Sequence, residues 1–280
     1  MNYNNRMFKS IIKPIYLAFK KLSYKIFDFY DELKGTKNPL IPPRSMIYIG
    51  DGDYEKTGKE FLGYFIELGH IMPNSKILDI GCGIGRMAVP ITKYLTENGE
   101  YHGFDIVKMG INWANENITS RYPNFYFKHS NIFNQMYNPQ GIVNSSNYTF
   151  EYSNDYFDFV FLTSVFTHMY AIDVERYIYE ISRVMKSKAR CLITMFILND
   201  ESKDNIKRSK SDQNLIYRID NVSFTKDQEI PESAIGFDED YIKLLFKKNG
   251  LIICDSINYG SWCGRKNYLS YQDIIIAEKL

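Results

Sequence analysis

Three glycines alternate within the stretch KILDIGCGIGRMAVPI, residues 76–91: Gly81, Gly83 and Gly85. They separate the apolar run Lys76 to Ile80, which reads as a short buried strand, from Arg86 to Glu97, which reads as a helix. A turn of this kind constrains the fold strongly. Without Cβ atoms its backbone amides can lie close to a ligand, and the start of the next helix adds a positive dipole end for an anionic group.

The same rhythm runs from Tyr54 onward. Glu55 to His70 reads as a helix with Phe61, Leu62, Phe65 and Leu68 on one face. Tyr101 to Phe104, Phe125 to Lys128, Phe157 to Leu162 and Cys191 to Leu198 read as further strands, and Ile111 to Arg121 and Ile172 to Met185 as helices between them. Strands spaced by helices of this length imply an α/β fold, a doubly wound, Rossmann-like, mostly parallel sheet with helices on both faces. The end departs from the pattern. Residues 199–237 are charged and aperiodic, a length more often used as a lid or binding loop than as idle linker. A helix from Asp238 to Lys248 stops at Asn249-Gly250. Leu251 to Ile257 and Tyr271 to Ala277 then read as two strands, placing an antiparallel C-terminal strand in the sheet.

Residues 1–45 stand apart as a helical extension, and residues 46–280 form the main domain. Up to Tyr30 the extension carries six basic residues against one acid, Asp28, and apolar residues recur at helical spacing. A basic amphipathic helix has two readings: peripheral contact with a membrane surface through residues 1–30, or packing of its apolar face on the main domain.

Composition excludes several classes. The 280-residue chain has a net charge of +1, so no global field recruits nucleic acid, and no basic stripe lies outside the extension. Cys82, Cys191, Cys254 and Cys263 are too scattered for a zinc site or a disulfide framework, which points to a reducing, cytoplasmic setting, at the inner face of the membrane if the extension binds there. No cluster of histidines and carboxylates reads as a metal site, and no apolar run reaches the length of a membrane span.

Asp105, closing YHGFD 20 residues after Gly85, stands where an acid at the end of a second strand accepts from both ribose hydroxyls. The ligand should therefore contain a ribose and an anionic group. The spacing G-x-G-x-G puts Arg86 where a dinucleotide site has its last glycine, and the GK[ST] of a P-loop is absent.

With ILDIGCGIGR, the acid of GFD, FDFVFLTSVFTHM after the fourth strand, and YIYEISRVMKSKARCLITMF beyond it, the chain from Tyr48 to the C-terminus resembles the class I S-adenosylmethionine-dependent methyltransferases. The closing NYGSWCGR and SYQDIIIAEK resemble a bacterial subset linked to surface-glycan biosynthesis. The resemblance implies S-adenosyl-L-methionine as cofactor. Gly81, Cys82, Gly83 and Gly85 would lie against its aminocarboxypropyl part and Asp79 near its ammonium. Asp105 would hold the ribose, Ile106 would lie against the adenine, Asn131 would meet the adenine amino group, and Ile132 would belong to the same cofactor site. Thr163 would follow the fourth strand at the same site. Arg86 would either pair with the cofactor carboxylate or start the helix.

It also implies O-methylation of a sugar or other glycan precursor, a small-molecule acceptor. His168, in the loop after the fourth strand, is the candidate base, against a structural role held by a backbone carbonyl. Asp51 and Asp53 in YIGDGD would close over the cofactor, act on the acceptor, or form a plain turn. Tyr259, Trp262 and Arg265 would form an acceptor wall or pack within the final hairpin. Competing readings are aminopropyl transfer, methylation of another small metabolite, a nicotinamide-dependent reductase and an inactive binding module of the same fold.

Overall fold

The run Lys76–Ile80 forms β1, and its side chains part to the two faces of a sheet: Ile77 into one apolar layer, Leu78 and Ile80 into the other. The computed structural model describes residues 23, 24, 26, 28, 30, 38–50 and 52–280. Around β1 stand β2 (Glu100–Asp105), β3 (Phe125–His129), β4 (Phe157–Leu162) and β5 (Met185–Leu198), in the order β3-β2-β1-β4-β5, all parallel. The strand β10 (Asp273–Lys279) runs antiparallel along β5, and β9 (Leu251–Ile253) pairs antiparallel with β10. The sheet therefore has the expected mostly parallel architecture with antiparallel strands at its C-terminal end.

Alternation along β4 shows why helices cover both faces. Phe157, Val160 and Leu162 enter one layer, Phe159 and Phe161 the other. The first layer is closed by α4 (Ala171–Val184) through Val174, Ile178 and Ile181, and by α6 (Glu239–Lys248) through Ile242 and Phe246. The second is closed by α1 (Tyr54–Glu67) through Phe61 and Phe65 and by α3 (Lys108–Ala114) through Ile111 and Trp113. Each such buried side chain contributes about 1.5–3 kcal/mol relative to exposure.

Two helices differ from the sequence reading. The chain from Gly81 to Met87 is turn, and α2 covers only Ala88–Ile91. Thr92 turns its hydroxyl back onto the Val89 carbonyl at 2.7 Å, and the Thr96 N–H leaves for the Pro73 carbonyl at 2.8 Å, so the expected helix to Glu97 does not propagate. The helix expected to reach Arg121 ends at Ala114 and runs into a π-turn, Asn115–Thr119.

Residues 199–237 are not aperiodic coil. They fold as α5 (Asp200–Lys207), β6 (Tyr217–Arg218), β7 (Ser223–Thr225) and the start of β8 (Ile235–Asp238). The far end of β5 makes this possible. Met195 is its last residue paired with β10, while Phe196 to Leu198 pair with Gly236 to Asp238, so one long strand carries both the C-terminal hairpin and the insertion. Asn199 caps α5 by accepting from Ser202 N at 3.0 Å.

A buried polar knot joins insertion and hairpin. Trp262, fully buried, donates from Nε1 to Asp273 Oδ2 at 2.7 Å and packs on Phe196 with ring centroids 5.1 Å apart. Arg265 donates to Asp273, to Glu201 at 2.8 Å and to Asn199 at 3.1 Å. Burial lifts Asp273 to about 6 despite these donors. The expected N-terminal amphipathic helix falls almost wholly outside the described residues. Asp28, which is described, accepts from Arg44 N at 2.8 Å and Ser45 N at 3.2 Å. No helix among the described residues is long and apolar enough to cross a membrane.

Replacing Trp262 with Ala leaves a cavity against Phe196 and strips a donor from Asp273. It should lower stability by about 3–5 kcal/mol, read as the urea midpoint; a shift below about 1 kcal/mol would contradict this account of the knot.

Candidate active site

A cavity of about 630 Å³ lies at the carboxyl ends of the parallel strands, where ligands sit in open α/β sheets. The glycine turn shapes its floor. Gly81 and Gly83 have φ of +77° and +59°, a region that side chains rarely adopt. A Cβ on Gly81 would collide with Val165, and one on Gly83 would come within 2.9 Å of Ile49. The N–H groups of Gly81 and Cys82 both donate to the Phe104 carbonyl, at 2.9 and 3.1 Å, so the turn is stitched to the end of β2.

Asp105 completes that stitch. Its Oδ2 accepts from Gly83 N at 2.8 Å and its Oδ1 from Val107 N at 2.7 Å. Burial still raises its carboxyl above the ordinary value, because desolvation outweighs the backbone donors. Asp79 is buried beside it. The Tyr101 hydroxyl donates to its Oδ2, while its Oδ1 has no partner among the described residues. Desolvation, opposed by the Tyr101 bond and reinforced by the nearby Asp105 charge, lifts Asp79 from 3.8 to about 8. Burial also pushes the Cys82 thiol up, so it lines the cavity as a neutral group.

Arg86 lines the cavity from the turn itself. Its Nη1 donates to the Ile49 carbonyl at 3.0 Å, tying residues 47–50 over the glycines, and its buried Nε has no partner among the described residues. Tyr48 belongs to the same strap. Its hydroxyl is buried without a hydrogen-bond partner among the described residues, and burial holds it far above the ordinary phenol range. Among the described residues, six buried side-chain N or O atoms lack a partner, and four of them, on Tyr48, Asp79, Arg86 and Ser233, belong to residues lining this one cavity. Orphan polar atoms concentrated in a cleft mark a place for a polar ligand.

The loop after β4 forms the opposite wall. Ser164 has φ of +61°, held there by its N–H donating to Thr194 Oγ1 at 2.8 Å. Beyond it, His168 Nδ1 lies 2.6 Å from the Glu232 carbonyl. A carbonyl only accepts, so Nδ1 carries the proton and Nε2 keeps a bare lone pair. Burial lowers the imidazole below its ordinary value and keeps it neutral. The Tyr137 ring stands edge-on to it at 5.2 Å.

Several expected site residues are placed elsewhere. Asn131 is exposed and outside the cavity, its Oδ1 accepting from Asn138 at 3.4 Å. Gly85 does not line it either; a Cβ there would lie 2.7 Å from Ile118 Cδ1, so this glycine serves packing beneath the turn. Asp53 caps α1, accepting from Lys56 N at 2.7 Å, and Asp51 falls outside the described residues. Trp262 and Arg265 are consumed by the Asp273 knot, and Tyr259 donates to Glu239 at 2.9 Å beneath the Arg265 guanidinium. None of these three makes an acceptor wall. The hairpin reaches the cavity through Tyr271 and Gln272 instead.

Asp79, Gly81, Cys82, Gly83, Arg86, Asp105, Ile106, Ile132, Thr163 and His168 are brought together around it. Sequence reasoning missed Tyr48, Tyr137, Lys226 and Tyr271: Tyr137 and Lys226 lie in stretches without periodicity, and Tyr48 and Tyr271 border stretches singled out for other residues. Among the described residues no group of three or more His, Cys, Asp or Glu side chains is placed to hold a metal ion.

Comparison with known proteins agrees with this geometry. A family model described as a methyltransferase domain matches residues 71–268. Solved structures with the same fold include a SAM-dependent methyltransferase from Methanosarcina mazei, at 23% identity and TM-score 0.52 over 77% of this chain and 97% of that one. Magnesium protoporphyrin IX methyltransferase from Synechocystis with bound SAH is 13% identical, TM-score 0.51, over 91% and 99%. A protein from Pyrococcus horikoshii OT3 is 16% identical, TM-score 0.55, over 84% and 95%. The chain belongs to the methyltransferase-domain family and is a SAM-dependent methyltransferase.

The raised Asp79 has a consequence for stability. The folded protein keeps this proton up to about pH 8, whereas the unfolded chain releases it near 3.8. Stability of the ligand-free protein should therefore fall as pH rises from about 4 to about 8, and Asp79→Asn should flatten that slope. Parallel urea-midpoint profiles for the two proteins would contradict the assignment.

Proposed function

We propose that the enzyme methylates a hydroxyl oxygen of a small-molecule acceptor, with His168 as the base. The observation that carries this reading is the fixed tautomer of His168. A neutral imidazole in the cavity wall, its Nδ1 proton committed to the Glu232 carbonyl, leaves Nε2 available as a proton acceptor.

The residues present fit the cofactor. Asp79 Oδ1 is an unpartnered acceptor suited to an ammonium, and Arg86 Nε an unpartnered donor suited to a carboxylate. Asp105 uses one lone pair of each oxygen on Gly83 and Val107, which leaves capacity for ribose hydroxyls. Ile106 and Ile132 supply apolar walls for the adenine. Bound there, S-adenosylmethionine supplies a methyl group on a sulfonium sulfur, already activated toward a nucleophile.

The chain then has to align the acceptor, exclude water and remove one proton. His168 Nε2 would take the acceptor's hydroxyl proton as the methyl group passes to that oxygen and the sulfur departs as a neutral thioether. The strap at residues 47–50 and the insertion at 199–237 cover the cavity through Tyr48, Lys226 and Ser233. A sugar or glycan precursor is the acceptor class this reading carries, supported by the hydroxyl and amide groups of Ser233, Tyr271 and Gln272 along that side.

Calorimetry should show S-adenosylhomocysteine binding to the wild type and weakened by about 10- to 100-fold in Asp105→Ala. His168→Ala should keep that affinity yet lose about 10²–10⁴-fold in methyl transfer, measured as S-adenosylhomocysteine released. Full activity in His168→Ala would remove it as the base.

A further inference from the structure

Charged side chains lining the cavity fall into two groups. Asp79, Arg86 and Asp105 stand at the ends of β1 and β2, and Lys226 alone comes from the insertion, one residue past β7. Lys226 makes no ion pair among the described residues. Its neighbour Asp227 turns Oδ1 onto the backbone of the loop, accepting from Glu229 N at 2.9 Å and Ile230 N at 3.3 Å. Partial desolvation at the cavity mouth pushes the Lys226 ammonium below its ordinary value, outweighing the opposing charge of its neighbour Asp227.

The hydrogen bonds around it can be assigned without ambiguity. Lys226 Nζ lies 3.1 Å from Gln213 Oε1, and Gln213 Nε2 lies 2.9 Å from Tyr271 Oη. An ammonium only donates, so the Gln213 oxygen must face it and the amide nitrogen must face Tyr271. The tyrosine oxygen then accepts, and its own proton is left free. Lys226 likewise retains two N–H groups. The bridge is itself held in place, since Ser211 Oγ accepts from Gln213 N at 3.1 Å and donates to the Gln213 carbonyl at 2.7 Å. Ser233 adds a buried, unpartnered hydroxyl to the same cavity. Both polar groups of Gln213 are spent, so Lys226 and Tyr271 present donors and a positive charge, a set matched to an anion.

We propose that the acceptor is an anion, its carboxylate or phosphate group held by Lys226 and the Tyr271 hydroxyl while its reacting hydroxyl faces His168. This rests on the methyltransferase reading of the His168 wall. Lys226 then selects among acceptors and, by its charge near His168, helps keep the imidazole neutral.

The test uses the full chain saturated with S-adenosylhomocysteine, which occupies the Arg86 side, and titrates inorganic phosphate and, separately, acetate. Phosphate is followed by ³¹P line broadening and acetate by saturation transfer. At least one anion should bind the loaded wild type. Its binding should weaken about tenfold or more in Lys226→Met and stay within about threefold in Lys226→Arg, with S-adenosylhomocysteine affinity equal in all three. Tyr271→Phe supplies a second variant that should weaken binding through loss of one donor. The anion bound more tightly identifies the acceptor group as phosphate or carboxylate. Binding of neither anion, or equal binding in Lys226→Met, overturns the proposal and leaves the methyltransferase reading intact. Failure of S-adenosylhomocysteine itself to bind overturns that reading instead.

Discussion

Two carboxylates buried side by side at the ends of β1 and β2 are the constraint on which the site depends. Burying one such charge is costly, and burying two together is costlier, since each raises the proton affinity of the other. Asp105 is tolerated because Gly83 and Val107 aim backbone N–H groups at it. Those bonds require the glycine turn to hold its left-handed geometry, which the contacts of Gly81 with Val165 and of Gly83 with Ile49 leave room for only when no Cβ is present. Asp79 is tolerated differently: it is lifted to about 8 and stays protonated at neutral pH, with one oxygen unpartnered. A cationic ligand group is what would relieve that state. Strap, turn and strand ends are thus held by one local electrostatic problem.

Much of this was legible in the sequence, for a physical reason. Strand burial on both faces leaves continuous apolar runs such as FDFVFL, and a turn that needs positive φ leaves glycines at fixed spacing. The parallel core, the antiparallel end and the residues around Asp79 and Asp105 follow from those signals. Helix ends were less legible: α2 is cut short by side-chain and tertiary hydrogen bonds of Thr92 and Thr96 that no periodicity encodes.

The acceptor side was least legible. Trp262 and Arg265 have the chemistry of a binding wall, yet Asp273 lies eleven and eight residues further on, respectively, and claims both. Lys226 and Gln213 sit in the charged stretch that reads as a lid or binding loop, but which of its residues reach the cavity depends on β5 extending past β10 and pairing with β8. Which polar residue is structural and which is free depends on partners distant in sequence. Here the knot around Asp273 fixes the hairpin, and the hairpin presents Tyr271 and Gln272 to the cavity. Structural and binding roles are therefore divided between adjacent residues of a single segment.

The site's cofactor reading rests on the orphaned polar atoms of Asp79 and Arg86 being the cofactor's contacts. A crystal structure of the protein with S-adenosylhomocysteine tests it most directly. The account predicts the ligand ammonium at hydrogen-bond distance from Asp79 Oδ1 and the ribose hydroxyls on Asp105. Density for the ligand elsewhere, or a ligand in the cavity that leaves Asp79 Oδ1 without a partner, would contradict it.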